Sequence, residues 1–208
     1  MSATRSDRGP RRRRYHHGDL KAALVDAAVE LIAERGVRNF SLAEASRRLG
    51  VTVAAPYRHF ADRDELVAAV AVRAFGALGA AVAAEVDDAD PPARRLAAMA
   101  GAYVRFAGAN PALFEVLFGS GIDKDRFPQV RKAAEPAEGA LTSCVALICG
   151  DDAELAATLT DAVAATAHGY ATLLLDGTFG EASTAGDVAA GGAARATLAL
   201  IEGRAALL

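Results

Sequence analysis

The sequence has 208 residues, of which 52% are hydrophobic, and carries a net charge of −3. That length accommodates a small domain of about 50–60 residues and one larger domain. No uncharged apolar stretch reaches about 18 residues, and the basic N-terminus lacks the apolar segment of a signal peptide. We therefore expect no membrane association and a cytoplasmic location. Alanine dominates the hydrophobic fraction and favours helix, and alternating strand patterns are scarce, so we predict an all-α protein.

The charge is unevenly distributed along the chain. Residues 1–65 carry 13 basic and 9 acidic side chains, a net charge of +4, whereas residues 66–208 carry 10 basic and 17 acidic ones, a net charge of −7. A small basic region beside a larger acidic one is typical of a protein that presents only one end to nucleic-acid phosphates. Nucleic-acid contacts are therefore expected within the first 65 residues.

Residues 1–14 have the composition of a disordered basic arm, rich in Ser, Gly and Pro and ending in four consecutive arginines. Such runs are common in arms that bind nucleic acid, so Arg13 and Arg14 are candidate DNA contacts in a neighbouring minor groove, as in homeodomain arms. Binding through this arm would depend steeply on salt and would add no sequence specificity. The alternative interpretation is a solvated, solubilising tail.

Two helices are predicted between residues 19 and 49. The first, from about residue 19 to 35, carries leucine, isoleucine and alanine on one face and is followed by a glycine that can end it. The second is short, about Leu42–Leu49. It begins with a Ser-x-x-Glu capping box formed by Ser41 and Glu44.

A tight turn at Gly50 follows the second helix and leads into a predicted third helix, from about Thr52 to Phe60. Thr52 can cap this helix, and Pro56 falls near its first turn, where proline costs less than in mid-helix. Helix, glycine turn and helix together are the arrangement of a helix-turn-helix. We therefore predict a three-helix domain of this kind over residues 15–65.

The remaining residues, 66–208, predict a helical bundle. A long helix begins with an Asp-x-x-Glu pattern at Asp62 and extends to about Glu85. Further helices are expected at about residues 93–109, 112–118, 128–149, 152–175 and 193–207. The small, glycine-rich residues 181–192 are predicted to form a mobile loop.

Several short motifs lie in order around the predicted helix-turn-helix. They are Ala27-Ala28-x-x-Leu31-Ile32-x-x-Arg35-Gly36, Phe40-Ser41-Leu42, Ala45, Leu49-Gly50-Val51-Thr52, Pro56-Tyr57-Arg58-His59-Phe60 and Asp62-Arg63-Asp64-Glu65-Leu66. Together they resemble the DNA-binding domain of TetR/AcrR-type regulators. Asn110–Phe118 and the pair His168-Gly169 resemble a subset of that family, although the Trp that often precedes the pair is absent. The resemblance implies a homodimeric transcriptional regulator, more often a repressor, whose affinity for operator DNA responds to a small molecule.

In a helix-turn-helix, the N-terminal residues of the second helix contact base edges in the major groove. Here these residues are Thr52, Val53, Ala54 and Tyr57, although Thr52 could act only as a cap. Val53 and Ala54 can touch a thymine methyl group but cannot form side-chain hydrogen bonds, so they discriminate weakly. Phosphate contacts and DNA shape are therefore expected to supply much of the specificity.

Contacts to the DNA backbone are expected from Tyr57, Arg58, His59 and Arg63. The resemblance implies the role of His59, and Arg63 stands where the family usually has Lys. Ser41 and Arg48 are further candidates on the second helix, with solvated surface as the alternative for Arg48. The start of the next helix adds backbone N–H groups and a favourable dipole for phosphate.

The resemblance also implies a dimer formed by the last two long helices. Small residues at positions 156, 157, 164, 165 and 169 would allow close packing between two copies, although they could equally pack within one subunit. It further implies a pocket for a largely apolar effector in the C-terminal domain. The candidate lining residues are Tyr103, Phe106, Phe114, Phe118, His168 and Tyr170. His168 is the sharpest candidate because it is a polar group inside an otherwise apolar helix. The alternative for the aromatic residues is ordinary core packing, and for His168 a core histidine bonded to a backbone carbonyl.

An enzyme is the main rival from a different class. The sequence contains no GxSxG, HExxH, P-loop or dinucleotide-binding motif, so we predict no catalytic residues, metal or cofactor. Cys144 and Cys149 are five residues apart, unlike a metal-binding pair, and are interpreted as buried or half-buried thiols rather than a redox sensor. A nucleoid-like DNA binder and a ligand-free protein-interaction module are the other rivals; the first would bind without sequence preference.

Overall fold

The computed structural model describes residues 20–180 and 182–207, with the side chains of residues 182 and 183 excepted. Throughout this part of the chain all regular secondary structure is helical, which confirms the predicted fold class. The predicted basic arm, with Arg13 and Arg14, lies outside the described residues. The α-helices are α1 (Leu20–Arg35), α2 (Leu42–Leu49), α3 (Arg63–Glu85), α4 (Pro92–Ala109), α5 (Pro111–Gly119), α6 (Pro128–Cys149), α7 (Ala153–Leu175) and α8 (Ala182–Glu202), and 3-10 turns lie at Pro56–Arg58 and Arg204–Ala206.

The predicted capping box and the predicted glycine turn set the two ends of α2. The hydroxyl of Ser41 accepts a hydrogen bond from the backbone N–H of Glu44, and the Glu44 carboxylate accepts one from the backbone N–H of Ser41. Gly50 ends the helix with a φ of 67°, a left-handed conformation that glycine adopts without steric cost. The backbone direction after α2 is therefore determined within a few residues.

The predicted third helix, from residue 52 to 60, is wrong in its extent. Regular helix is confined to the single 3-10 turn Pro56–Arg58, and a turn precedes it. A proline has no N–H with which to continue a helix. The carbonyl of Thr52 therefore accepts a hydrogen bond from Ala55, at 3.0 Å, and the chain closes into a tighter turn. The order of the helix-turn-helix is kept, but its second element is short.

Helix α3 connects the two parts of the fold. Leu66, Val67 and Val70 at its start belong to the same hydrophobic core as α1 and α2, and that core continues into α5 and α6. The predicted boundary between residues 65 and 66 falls inside the first turns of α3, so the division into domains stays a prediction.

The same helix is long and apolar enough to cross a membrane, judged by length and composition alone, and is the one such helix in the described part of the chain. Its most apolar window has a mean hydropathy of 2.0, although Arg73 interrupts the run. Eight of its side chains are buried against other helices. Core packing therefore accounts for its apolar composition.

Helices α4, α7 and α8 pack closely through small residues. A Cβ added at Gly101 in α4 would lie 3.4 Å from the carbonyl oxygen of Ala190 in α8, and one added at Gly192 would lie 2.6 Å from Cε1 of Tyr170. The core between these helices is made largely of alanine. The small residues therefore bring the helices together within one subunit.

The prediction of a loop over residues 181–192 is wrong, and so is the predicted helix start at residue 193. Helix α8 begins at Ala182. Glycine lowers helix propensity by about 1 kcal/mol per residue relative to alanine, which is why this stretch has the pattern of a loop. Close contact with Tyr170 of α7 needs the glycine at position 192, so tertiary packing overrides the local preference there.

Candidate functional site

A short exposed segment lies at the end of the helix-turn-helix. Thr52, Val53, Ala54, Tyr57 and Arg58 are all solvent-exposed, and the side chains of Val53 and Tyr57 are 50% and 56% exposed. Large apolar and aromatic side chains that remain outside a core often mark a binding surface. The structure thus brings all the predicted base-contacting residues onto one segment.

Buried anchors on either side hold this segment in place. Pro56 is buried beneath it, and Phe60, 1% exposed, enters the core that α1 and α3 share. The backbone N–H groups of His59 and Phe60 both bond to the carbonyl of Pro56, at 2.8 and 2.9 Å. Tyr57 and Arg58 are consequently presented outward by a turn whose ends are fixed.

Two predicted phosphate ligands already form contacts within the subunit. Besides capping α2, the hydroxyl of Ser41 donates to Glu44 Oε2 at 3.1 Å. Arg48 bonds to Glu34 at 2.6 Å and to Glu30 at 3.3 Å on α1, and its hydrogen bond lowers the pKa of Glu34. These contacts join α2 to α1, and Arg48 would have to share or exchange them to reach a phosphate.

Arg63 lies in a similar position at the start of α3. Its guanidinium donates to the backbone carbonyls of Phe40, at 3.2 Å, and of Val37, and it lies over the ring of Phe40 at 4.9 Å from the centroid. These contacts join the loop between α1 and α2 to α3. Its predicted phosphate contact stays a prediction, as do those of half-buried His59 and of the other candidates.

The N-terminus of α3 carries an ion pair that the sequence did not predict. Arg126, in the segment before α6, pairs with the cap residue Asp62 and lies 3.4 Å from Asp64. The pKa of Asp62 is lowered, first by the backbone N–H of Glu65 and then by Arg126. Because the partners are 62 to 64 residues apart, no local motif indicates the contact.

A second contact links α5 to the helix-turn-helix. Oε1 of Glu115 accepts a hydrogen bond of 2.9 Å from the backbone N–H of Val37, in the loop that leads from α1 to α2. Glu115 lies three residues before Phe118 on the same short helix. Helix α5 thus contacts the helix-turn-helix through Glu115 and, one turn later, the space between the C-terminal helices through Phe118.

A cavity of about 500 Å³ opens between α3, α4, α5, α6 and α7. This volume lies in the usual range for small-molecule sites. Its lining residues, in chain order, are Phe75, Leu78, Val82, Leu96, Met99, Ala100, Tyr103, Phe118, Ala134, Ala137, Glu138, Leu141, Val163, Ala164, Ala165, Ala167 and His168. The wall is almost wholly apolar, and α3, which also packs against α1, forms part of it.

A polar pair lies in this apolar wall. The hydroxyl of Tyr103 and Nδ1 of His168 are 2.9 Å apart. Phe114 stacks on the His168 ring at 5.5 Å between centroids, and Phe118 contacts it edge-on at 4.9 Å. Burial raises the pKa of Tyr103 well above its usual range, so the phenol stays protonated.

The predicted pocket residues divide into two groups. Tyr103, Phe118 and His168 line the cavity, and Phe114 packs directly behind His168. Phe106 and Tyr170 do not line it: Phe106 lies in the core that α3 shares with α1, and the ring of Tyr170 stacks on Phe179 at 5.7 Å.

Sequence reasoning missed the cavity wall that α3 supplies. Phe75, Leu78 and Val82 recur at intervals of three and four residues, so helical periodicity already places them on one face. The periodicity cannot tell whether that face meets another side chain or an open space.

Other features of the described residues add no site. No group of three or more His, Cys, Asp or Glu side chains within them is arranged to hold a metal ion. Cys144 is a buried free thiol and Cys149 a half-buried one, whose pKa is raised by burial.

The chain matches two family models. Residues 24–70 match "Bacterial regulatory proteins, tetR family", and residues 96–196 match "Tetracyclin repressor-like, C-terminal domain". The first covers the helix-turn-helix and the start of α3, and the second covers most of the cavity wall. The two matched segments follow one another along the chain in the same order as the helix-turn-helix and the C-terminal helices of the fold.

Known regulators are similar over part of their length. An HTH-type transcriptional regulator of Mycobacterium tuberculosis is 31% identical over 124 residues, which cover 59% of this chain and 53% of that protein. An uncharacterized HTH-type transcriptional regulator of Bacillus subtilis is 34% identical over 98 residues, covering 47% and 51%. The chain therefore spans about half the length of the curated relatives it matches.

Solved structures are similar over nearly the whole chain. A protein of unknown function from Rhodococcus sp. RHA1 has 33% identity and a TM-score of 0.71, with 90% of this chain and 97% of that one covered. A regulatory protein in the tetR family from Rhodococcus RHA1 has 17% identity and a TM-score of 0.69, with 88% and 96% covered, and shows the fold alone.

Proposed function

The chain belongs to the tetR family of bacterial regulatory proteins, and from that premise we propose that it is a sequence-specific transcriptional repressor controlled by a small-molecule effector. The observation that carries the proposal is the exposed segment from Thr52 to Arg58, held by buried anchors at the end of a capped helix-turn-helix. The family match indicates a regulator rather than an enzyme. A protein that reads chromosomal DNA works in the cytoplasm, and no membrane partner is proposed.

Specific binding needs two copies of this segment. One helix-turn-helix reads few base pairs, and a dimer that presents two of them about one helical turn apart reads a palindrome. We assign the dimer contact to α7 and α8, where Leu173 and Val188 are exposed large apolar side chains. Three of the small residues singled out in α7, Ala157, Ala164 and Ala165, are exposed as well and would allow a close approach.

The effector would occupy the cavity between α3 and α7. Two elements of its wall also contact the helix-turn-helix: α3 shares a core with α1, and α5 bonds to the loop at Val37 through Glu115. A ligand that binds one arrangement of these helices more tightly than another shifts the population toward it and so changes the spacing of the two reading segments. Either release or promotion of DNA binding is compatible with this linkage.

The test is selection of bound sequences from random duplex DNA at about physiological salt, with the wild-type chain and with Tyr57→Ala. We expect the wild type to enrich a palindrome and Tyr57→Ala to lose it. Tyr57 is mostly exposed, so the substitution should leave the melting temperature within the small range typical of surface changes. Leu147→Ala, which truncates a 65% exposed side chain on α6, is the matched control and should enrich the wild-type palindrome.

Two results would contradict the proposal. If the wild type enriches no sequence above the non-specific background, the chain is a non-specific DNA binder. If Tyr57→Ala enriches the same palindrome with equal strength, the base contacts lie outside the exposed segment.

A further inference from the structure

We infer that the cavity takes a neutral, largely apolar molecule whose one hydrogen-bonding oxygen, a hydroxyl or a carbonyl, binds the pair Tyr103 and His168. This inference rests on the proposed function, in which the cavity is the effector site, and it names the chemical class of that effector. It follows from the wall's composition, the hydrogen-bonding capacity of the pair and the charges around it.

The wall offers very few polar partners. Among the lining residues, nitrogen and oxygen atoms occur in the side chains of Tyr103, Glu138 and His168 only. Water in such a space has few groups to bond, and a cavity lined by apolar side chains favours an apolar occupant. Most of the ligand's surface is therefore expected to be hydrocarbon.

The Tyr103–His168 pair offers both a donor and an acceptor. A neutral imidazole carries a proton on one nitrogen and a lone pair on the other. If the Tyr103 hydroxyl donates to Nδ1, then Nε2 of His168 is a donor; if Nδ1–H donates, then the hydroxyl remains free to donate and Nε2 accepts. No hydrogen bond to Nε2 is formed by the described residues. A hydroxyl or carbonyl group satisfies this pair in either tautomer.

The charges around the cavity favour a neutral ligand. Neither lysine nor arginine lines it among the described residues, and burial keeps Tyr103 as an uncharged phenol. A carboxylate placed in this wall would lose hydration without gaining a cation. The one carboxylate of the wall, Glu138, is exposed to solvent, where water screens it and weakens any attraction for a cationic ligand.

The experiment compares three probes that share one alkyl chain: decanol, decanoate and decylammonium. Binding of each to the full-length chain is measured by calorimetry at neutral pH. We expect decanol to bind at least about tenfold more tightly than either ion, because each ion must give up hydration on entry.

Variants then locate the contact. Tyr103→Phe removes one hydroxyl and should weaken decanol about 3- to 10-fold, the range of a single hydrogen bond, and His168→Phe should do the same while keeping a ring against Phe114. Tyr170→Phe is the matched control, since Tyr170 lies outside the cavity and its loss of a hydroxyl should change nothing. Ala137→Phe, at a half-buried lining position on α6, should obstruct the cavity and weaken decanol most.

The inference is overturned if decanoate or decylammonium binds as tightly as decanol, if no probe binds, or if neither Tyr103→Phe nor His168→Phe weakens decanol. Operator binding by the same samples separates this failure from failure of the proposed function. A chain that selects a palindrome but binds no probe contradicts the ligand class alone. A chain that binds decanol through Tyr103 but selects no DNA sequence supports the ligand class and contradicts the proposed function.

Discussion

The helix-turn-helix and the C-terminal helices are built in different ways. From α1 to the start of α3, caps and a left-handed glycine determine where α2 begins and ends and where α3 begins, an ion pair joins α2 to α1, and the candidate binding residues are exposed side chains. From α4 to α8, all the helices except the short α5 are long and rich in alanine, and the candidate binding site is a cavity that opens between α3, α4, α5, α6 and α7. The first site depends on local backbone geometry and the second on packing.

This difference determines which changes each site tolerates. A surface segment held by a few anchors is lost when an anchor is lost, whereas single surface substitutions leave its fold intact. A cavity persists only while the surrounding helices keep their spacing, so it responds to changes in side-chain volume. Besides the shared hydrophobic core, the contacts of Glu115 and Arg126 join the two regions.

The largest effect is expected from removal of a buried anchor. Phe60→Ala should lower the free energy of unfolding by about 3–5 kcal/mol, the range for a buried Phe→Ala change, and should abolish specific DNA binding. Because one core extends from α1 into α5 and α6, we expect a single unfolding transition in denaturant titrations. Phe179→Ala, at a 38% exposed position, is the control and should cost much less. Two separate transitions would show that the regions fold independently.

The joint between the two regions is tested next. Glu115→Ala leaves the backbone N–H of Val37 without its acceptor, and an unpaired buried donor costs about 1–3 kcal/mol. Glu115→Gln keeps an oxygen at the same place and should recover most of the loss in the free energy of unfolding by urea. Equal losses in both variants would show that the carboxylate charge, rather than the hydrogen bond, joins the regions.

A smaller effect is expected from the cap of α2. Ser41→Ala removes the side-chain acceptor for the N–H of Glu44 and should cost about 1 kcal/mol, measured by thermal unfolding. Ser143→Ala, at an exposed position inside α6, is the matched change without a cap and should not destabilise the chain. If the two variants melt alike, the capping box contributes nothing to stability.

The smallest effect concerns the acid side of the stability curve. The pKa of Asp62 in the folded chain lies below its ordinary value of 3.8, so ionised Asp62 stabilises the fold above that pH, and the contribution is lost as the pH falls through the folded-state pKa. Asp62→Asn can still cap α3 but lacks the charge. Its melting temperature should therefore fall less than that of the wild type when the pH is lowered below about 4. The difference should be small because the pair with Arg126 is largely exposed. If the melting temperatures of the two chains fall in parallel as the pH is lowered, the pKa of Asp62 is the same in the folded and the unfolded chain.

The sequence predictions succeeded where local signals set the structure and failed where the backbone at a proline or the packing between helices set it. Capping signals correctly predicted α2 and the start of α3, and breaks at acidic, proline and glycine residues bounded α4 to α7 closely. The error over residues 52–60 came from the backbone: Pro56 removes the N–H that an α-helix would need. The error over residues 181–192 came from packing, because Gly192, which weakens an isolated helix, is the residue that lets α8 approach Tyr170 of α7.

By itself, the sequence determined the all-α class, the helix-turn-helix and the exposed position of Tyr57, because each of these depends on signals only a few residues apart. Only the tertiary structure decided that Phe118 and Tyr103 border a space while Phe106 fills a core, that Glu115 reaches Val37, and that Arg126 pairs with Asp62. An apolar side chain has the same helical periodicity whether it faces another side chain or a cavity. The difference arises from the distances between helices, which no local pattern encodes.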